Sequence, residues 1–143
     1  MPNPFHLAIP VHDLDAARSF YVRVLGCGVG RSDAEWIDFD LFGHQVVAHT
    51  GGISPLERGE ALPTSGVDGH AVPVPHFGVV LELDAFDALA KRLEEHGVDF
   101  VHPPTTRFAG LPGEQRTMFL TDPSGNALEF KAFRDIEASL FET

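Results

Sequence analysis

The chain has 143 residues, the length of one ordinary domain, and 43% of them are hydrophobic, which is enough to form a buried core. Its formal charge is −11, with ten Lys and Arg against 21 Asp and Glu, so a nucleic-acid partner is not expected, because a phosphate backbone requires a basic surface. No apolar run reaches the roughly 18 residues of a membrane span, and no secretory signal is visible. The single Cys27 excludes an internal disulfide and a cysteine-based metal cluster. These features predict a cytoplasmic globular protein.

The sequence of the first module, residues 1–50, predicts a strand, a helix and a hairpin. Asp13 is expected to cap the helix, whose apolar residues recur every three to four positions, and Gly26 is expected to end it. A turn at Gly43 joins the last two strands. The strands of this module are expected at residues 5–11, 36–39 and 45–48.

The connecting segment, residues 51–74, is rich in Gly and Pro and has no sustained hydrophobic period. It is predicted to be a loop. A loop of this length inside a compact domain is either mobile or functional.

The second module, residues 75–133, repeats the pattern of the first. Asp84 is expected to cap its helix and Gly97 to end it, while Pro103 and Pro104 are expected to stop the strand before them. The segment DPSGN is a strong turn signal between the last two strands. The strands are expected at residues 76–83, 98–101, 117–120 and 127–133, and the tail 134–143 is predicted to be helical.

The two modules match each other at several positions. His6 corresponds to His76, Gly26 to Gly97, and Gly43 to Gly125. Each module has the order strand, helix, three strands, and neither buries a full face alone. The sequence therefore predicts an α+β protein of two βαβββ modules that form a curved eight-stranded mixed sheet, with helices outside and a concave pocket inside.

Three residues are candidate metal ligands. His6 and His76 open equivalent strands, and Glu129 lies in a hydrophobic strand where a carboxylate is costly to bury unless a cation meets it. Pseudo-twofold packing would bring the three side chains together around one cation. The alternatives are two hydrogen-bonded strand histidines and a glutamate paired with a nearby arginine.

The predicted metal site has open positions. The fourth residue after the turn glycine is Glu129 in the second module and Val47 in the first, and a valine cannot bind metal. Three protein ligands of this kind form the 2-His-1-carboxylate arrangement of non-haem Fe(II) oxygenases, whereas a structural site would be closed by a fourth ligand.

Three segments resemble a known superfamily: FHLAIPVHDLDAARSFYVRVLG, PVPHFGVVLE and TMFLTDPSGNALEFKAF. They are similar to the vicinal oxygen chelate superfamily, which includes glyoxalase, bleomycin-resistance and extradiol dioxygenase proteins. The likeness covers nearly the whole chain, as one domain of residues 1–143. It is closest to the small extradiol-dioxygenase-type members, in which segments like Gly43-His44-Gln45 and the Arg107–Gln115 segment RFAGLPGEQ also occur.

The resemblance implies roles for several residues. His6, His76 and Glu129 match the metal positions of the superfamily, and Val47 departs from the four-ligand pattern of its glyoxalases. An unligated pocket histidine, of the kind that extradiol members use for proton transfer, would be His44 or His49. Residues 118–120 fill the strand where those members commonly have a tyrosine. The remaining histidines are expected to be solvated or at loop edges: His12, His70, His96 and His102.

Candidate substrate contacts are Arg107, Gln115 and Met118. Arg107 lies by a glycine-rich loop that could fold over a pocket, and it could hold a substrate carboxylate by paired hydrogen bonds. The alternative is a solvated arginine on a flexible loop.

The sequence thus suggests a metal-dependent dioxygenase of the extradiol type, which acts with O₂ on a small vicinal diol or enediol. The expected cofactor is one divalent metal, Fe(II), with Mn, Ni and Zn as alternatives. Two other functions stay open: a glyoxalase-like metal-dependent isomerase or lyase, and a non-catalytic drug-binding protein of the bleomycin-resistance type. No membrane partner is expected, and formation of a homodimer is left open.

Overall fold

The computed structural model describes residues 3–143, which form two compact units. Unit 1 contains the chain up to Val74 together with the turn Asp122–Asn126, and unit 2 contains Pro75–Thr121 with Ala127–Thr143. The predicted mixed α+β fold is confirmed. Within residues 3–143, no helix is long and apolar enough to cross a membrane.

Unit 1 is built on a four-stranded sheet. Its strands are β1 (His6–Pro10), β2 (Gly28–Ser32), β3 (Trp36–Leu41) and β4 (His44–His49), in the order β1-β4-β3-β2. The β1–β4 pair is parallel and the other pairs are antiparallel. Strand β2 was not identified from the sequence, because all five of its residues are exposed and it carries no hydrophobic alternation.

The helix of unit 1 begins as predicted at Asp13, whose side chain accepts a hydrogen bond from the backbone N–H of Ala16. It consists of α1 (Leu14–Arg18) and a following π-helical segment, Ser19–Val24, so the predicted continuous α-helix widens in its second half. Gly26, at a φ of 84°, follows its end. Helix α1 packs against β3 and β4.

The connecting segment 51–74 is not the irregular loop predicted. It contains helix α2 (Pro55–Arg58), which starts with a capping box between Ser54 and Glu57, and a hairpin of β5 (Thr64–Val67) and β6 (His70–Pro73). Asp68 and Gly69 turn this hairpin with φ angles of 49° and 81°. The spacing of hydrophobic residues could not reveal these elements, because they are defined by a helix cap and by a tight turn rather than by a repeated apolar pattern.

Unit 2 has a strand order equivalent to that of unit 1. Its elements are β7 (His76–Phe77), β8 (Val80–Glu82), α3 (Leu83–Glu95), β9 (His102–Arg107), β10 (Gln115–Thr121), β11 (Ala127–Phe133) and α4 (Ile136–Ser139). Strands β7 and β8 both pair with β11 in parallel and in one register, so they occupy a single strand position beside it. Strands β10 and β9 follow on the other side of β11 in antiparallel pairs. Helix α3 packs against β8, β10 and β11.

The predicted single eight-stranded sheet is not confirmed. The hydrogen-bonded ladders form the four-stranded sheet, a five-stranded sheet in unit 2 and the β5–β6 hairpin.

Two local predictions for unit 2 were wrong. Residues 98–101 form no strand, and β9 instead contains Pro103 and Pro104. These prolines fit because β9 is an edge strand, where a residue without an N–H can face away from the ladder. Helix α3 starts earlier than expected, with Glu82 rather than Asp84 at its N-cap.

The turn Asp122–Asn126 is held by the carboxylate of Asp122. This carboxylate accepts hydrogen bonds from the Tyr21 hydroxyl at 2.8 Å and from the backbone N–H groups of Ser124 and Asn126, both at 2.9 Å. The Asn126 side chain donates in turn to the carbonyl of Pro10 at 2.8 Å. Burial, followed by the neighbouring Asp122 charge, raises the pKa of Tyr21 well above its usual value. Tyr21 therefore acts here as a neutral hydrogen-bond donor.

Gly78 lies between β7 and β8, where the chain passes very close to β11. A Cβ atom at Gly78 would lie 1.5 Å from the backbone oxygen of Glu129 and 2.6 Å from its carbonyl carbon. Both obstructing atoms belong to the backbone and cannot rotate away. Glycine is therefore required here by close approach.

We expect Gly78→Ala to lower the free energy of unfolding by about 3 kcal/mol or more, because the new methyl group must push β7 and β8 away from β11. Urea denaturation of both proteins would measure the difference. Gly66→Ala in β5 is the matched control, since a Cβ there meets nothing within 4 Å. Equal stability of Gly78→Ala and Gly66→Ala would contradict the close approach.

Candidate functional site: a histidine–carboxylate pair

The side chains of His76 and Glu129 meet within unit 2. The Nε2 atom of His76 lies 3.2 Å from Oε1 of Glu129, and the two side chains are 27% and 13% exposed. The other carboxylate oxygen of Glu129 accepts a hydrogen bond of 2.6 Å from the Thr117 hydroxyl. The glutamate in its hydrophobic strand is thus met by a histidine rather than by an arginine.

The strand register creates this pair. His76 lies beside Ala127 in the parallel β7–β11 ladder, two residues before Glu129 on β11. Because alternate residues of a strand share a face, Ala127, Glu129 and Lys131 lie together on one face of the sheet, as predicted. Leu128 and Phe130, which are fully buried, lie on the other face.

A second histidine of unit 2, His102, contacts the same phenylalanine as His76. The ring of Phe119, the neighbour of Glu129 across the β10–β11 ladder, has edge-on contacts with His76 at 5.1 Å and with His102 at 5.4 Å between centroids. His102 was expected to be solvated, but it is half-buried in β9 opposite Phe119. Sequence reasoning missed it because Pro103 and Pro104 were expected to exclude a strand there. The signal that could have revealed it is that prolines are tolerated at a sheet edge.

The third predicted ligand, His6, belongs to unit 1. Its Nδ1 atom lies 2.6 Å from Oε1 of Gln45, its neighbour in the parallel β1–β4 ladder. The amide oxygen of Gln45 can only accept, so it takes a hydrogen bond from Nδ1, and Nε2 has no part in this contact. A histidine ligand commonly donates one ring N–H to a neighbouring group in this way while its other nitrogen binds the metal.

The ligand-type side chains come together as a pair rather than a closed cluster. Nowhere in residues 3–143 do three His, Cys, Asp or Glu side chains form a group that could hold a metal ion. Two of the predicted ligands, His76 and Glu129, are in direct contact in unit 2, and His6 contacts Gln45 in unit 1.

The two predicted proton-transfer histidines differ in their surroundings. His44 is half-buried, and its Nδ1 accepts a hydrogen bond of 2.8 Å from the backbone N–H of Phe5. His49 is exposed at the end of β4, and strand alternation places it on the face shared by Val47 and Gln45. Because Gln45 pairs with His6, this is also the face of His6.

Two of the three predicted substrate contacts lie on the same face of unit 2 as Glu129. Gln115 and Arg107 are neighbours in the β9–β10 ladder, and the Arg107 guanidinium lies 5.1 Å from the centre of the Phe108 ring. Met118 has no exposed surface and lies on the opposite face with Phe130. The prediction of Met118 as a substrate contact is not supported, because its side chain is packed into the core.

The loop between β9 and β10 is fixed by the buried carboxylate of Glu114, which is 4% exposed. It accepts hydrogen bonds from the Gly110 N–H at 2.7 Å, from Arg116 at 3.0 Å and from Arg134 at 2.6 Å. Arg116 also pairs with Asp87 of α3. The Gly110 N–H and then Arg134 hold the pKa of Glu114 below its ordinary value. This network is structural, and no local pattern in the sequence predicts it, because its members meet only in the folded chain.

These features define a small α+β protein with two equivalent strand–helix–strand units and a histidine–carboxylate pair on one sheet. A model of the Glyoxalase/Bleomycin resistance protein/Dioxygenase superfamily matches residues 4–130. Comparison with curated proteins gives no match. The chain belongs to the glyoxalase/bleomycin resistance protein/dioxygenase superfamily.

Solved structures agree with this assignment. A glyoxalase/bleomycin resistance protein/dioxygenase from Alicyclobacillus acidocaldarius is 38% identical, with 94% of each chain covered and a TM-score of 0.74. An integron cassette protein from the mobile metagenome of the Halifax Harbour sewage outfall is 25% identical, with 93% of this chain and 100% of that chain covered and a TM-score of 0.62. A fosfomycin resistance protein from Listeria monocytogenes is 17% identical, with coverage of 92% and 93% and a TM-score of 0.65, and it shows the likeness of fold alone.

We expect the contribution of Glu114 to stability to depend on pH. A carboxyl group whose folded pKa is lowered stabilises the fold above its ordinary pKa near 4.5, and this contribution is lost as the pH falls through the lowered value. The difference in free energy of unfolding between wild type and Glu114→Gln should therefore be larger at about pH 7 than at about pH 3. Glu60→Gln, at an exposed position, is the control. A difference that does not change with pH would refute the role of the charge.

Proposed function

We propose that this protein is a metal-dependent dioxygenase of the extradiol type that acts on a vicinal diol or enediol. The observation that carries the proposal is the contact between His76 and Glu129, which brings a nitrogen and an oxygen donor together in a partly buried place. The chain belongs to a superfamily whose name includes dioxygenases, and this membership supports the same class of reaction.

The residues fit a divalent cation. His6, His76 and Glu129 would supply two imidazole nitrogens and one carboxylate, a donor set that suits Fe(II) and is also compatible with Mn, Ni or Zn. A bound Fe(II) ion would supply Lewis acidity toward the oxygens of the diol and electrons to O₂. Val47, which cannot bind metal, would leave room for the substrate.

This proposal includes the predicted arrangement of the two modules as one domain of residues 1–143. It also includes the predicted curved eight-stranded sheet with a concave pocket. The equivalent strand order of the two sheets, with a parallel first and last strand in each, is the observation in its favour.

Two neighbouring polar side chains would orient the ligands. The Thr117 hydroxyl donates to one oxygen of Glu129 and leaves the other toward His76, while Gln45 fixes the ring of His6. Outer contacts of this kind typically change metal affinity by about 10- to 100-fold when they are removed.

Proton transfer to or from the diol is proposed for a histidine near the pair. His102 is the strongest candidate, because it contacts the same Phe119 ring as His76. His49, on the face of His6, and His44 are the two candidates from the sequence. The Nδ1 of His44 is already an acceptor for Phe5, which favours a structural role for that residue.

We expect the protein, reconstituted anaerobically with Fe(II), to retain about one metal ion per chain, and His76→Ala and Glu129→Ala each to retain much less. Metal analysis after gel filtration would measure this. His96→Ala is the matched control, because His96 is exposed at the end of α3 and its Nδ1 contacts the backbone oxygen of Arg92 in the same helix. Equal metal content in all four proteins would exclude the proposed ligands.

Oxygen uptake would then identify the reaction. The reconstituted protein should consume O₂ with at least one vicinal diol, and Glu129→Ala should not. Conversion of a substrate without O₂, in the presence of Ni or Zn, would instead identify an isomerase or lyase. Tight drug binding by a protein that retains no metal would identify a resistance-type binding protein.

We expect His102→Ala to lower kcat by about 100-fold or more, because a positioned proton-transfer group contributes roughly 10²- to 10⁴-fold to a rate. Its metal content should stay at the wild-type level. His49→Ala and His44→Ala, measured in the same assay with full pH profiles, test the other two candidates. If His49→Ala or His44→Ala loses the basic or acidic limb of its pH profile while His102→Ala keeps the wild-type kcat, the proton-transfer role belongs to that other histidine.

A further inference from the structure

A cavity of about 540 Å³ opens in unit 2, between the loop after β9 and the C-terminal tail. Its volume lies within the range of about 300–1,000 Å³ that is typical of small-molecule sites. The wall contains three apolar side chains, which are those of Phe108, Leu111 and Phe133. The rest of the wall is polar, with the amide of Gln115, the carboxylate of Glu142 and the hydroxyls of Ser139 and Thr143, and Gly113 also lines the cavity.

The cavity lies along the face of the sheet that carries the histidine–carboxylate pair. Phe133 and Glu129 are four residues apart on β11, so their side chains point to the same face, and Gln115 is the partner of Phe133 on β10. At about 3.3 Å per residue, the two positions are roughly 13 Å apart. Lys131 lies between the two positions on the same face, so a molecule that reaches from Glu129 to Phe133 would run beside the side chain of this lysine.

The loop that forms one wall is held in place before any ligand binds. Its Gly110 N–H donates to the buried carboxylate of Glu114, which also binds Arg116 and Arg134. Phe108 has a φ of 55°, a conformation that is unfavourable for a side chain of this size, and its ring is half exposed at the cavity. The loop therefore presents the Phe108 ring to the cavity from a fixed backbone position.

The charge of the wall selects against anions. Glu142 is a carboxylate, and no lysine or arginine is among the described residues that line the cavity. Arg107, the candidate for a substrate carboxylate, lies over the Phe108 ring and is not part of the lining. The exposed apolar atoms of Phe108 and Leu111 and the amide of Gln115 instead suit an uncharged aromatic group that carries at most a hydrogen-bonding substituent.

We propose that this cavity binds an uncharged aromatic or similarly apolar group, and that this group is the substituent of the diol on which the enzyme acts. The second part rests on the proposed function, whereas the binding itself does not. The substrate would then be a diol extended by a neutral apolar arm, not a small acidic diol.

A pair of fluorescent probes tests the binding. N-phenyl-1-naphthylamine is uncharged, and 8-anilino-1-naphthalenesulfonate has the same two ring systems with an added sulfonate. We expect the uncharged probe to bind the protein at least about tenfold more tightly than the anionic one, a difference of about 1.4 kcal/mol. Tighter binding of the anionic probe, or no binding of the uncharged one, would overturn the proposal.

Two variants locate the probe, each with a matched control. Phe108→Gly removes the ring and the backbone strain, and Phe42→Gly does the same at a half-exposed phenylalanine of unit 1 with a φ of 52°. Gly113→Phe fills the cavity from a position where a Cβ meets nothing within 4 Å, and Gly66→Phe adds the same group at an equally open position in β5. Phe108→Gly and Gly113→Phe should each weaken binding of the uncharged probe by about tenfold, and the two controls should not. Equal weakening by the controls would place the probe elsewhere.

The KM values for two different diols test whether the cavity binds part of the substrate. For a diol with a neutral aryl substituent, Gly113→Phe should raise KM by about tenfold, and for the unsubstituted diol it should leave KM unchanged. The same KM change for both diols would overturn the assignment of the substituent. If no diol is oxidised by any metal form, the proposed function fails, while the probe experiment still decides whether the cavity is a binding site.

Discussion

The contact between the backbone of Gly78 and that of Glu129 is the constraint on which the candidate site depends. No side chain could be accommodated at Gly78, because its Cβ would lie 1.5 Å from the Glu129 carbonyl oxygen. The missing side chain lets β7 and β8 continue along β11 in one register. That register puts the imidazole of His76 beside the carboxylate of Glu129, so a backbone requirement determines a side-chain geometry.

Polar contacts then orient the side chains that the strand register has brought into place. Thr117 binds one oxygen of Glu129, Gln45 orients His6, and Glu114 fixes the loop beside the cavity. In each case a short hydrogen bond limits the rotation of a group that would otherwise be free to turn. Such preorganisation reduces the entropy lost on binding a ligand or a metal. Unit 1 uses the same principle in its structure, where Asp122 is held by Tyr21 and by the backbone of its own turn.

Superfamily membership and the geometry of the site address different questions. The family match and the structural likeness establish the fold and the range of chemistries that the superfamily name covers. Fold alone does not select one of them, because unrelated activities share one scaffold. The choice of a dioxygenase depends on the His76–Glu129 pair, on the valine at position 47 and on the neighbouring His102. The lining of the cavity, which has apolar side chains and no lysine or arginine among the described residues, is the basis of a proposal about the substrate that membership in a family does not provide.

The sequence by itself determined the elements whose signals are local: the Asp13 cap, the turn Asp122–Asn126 and helix α3. It also singled out Glu129, because a carboxylate in a hydrophobic strand needs a partner. Only the tertiary structure decided which strands lie side by side. The edge position of β9 allowed two prolines within a strand and brought His102 to Phe119, and the pairing of β10 with β11 placed Met118 in the core. The reason is physical: capping, turns and periodicity depend on residues a few positions apart, whereas register and edge position depend on residues that meet only after the chain has folded.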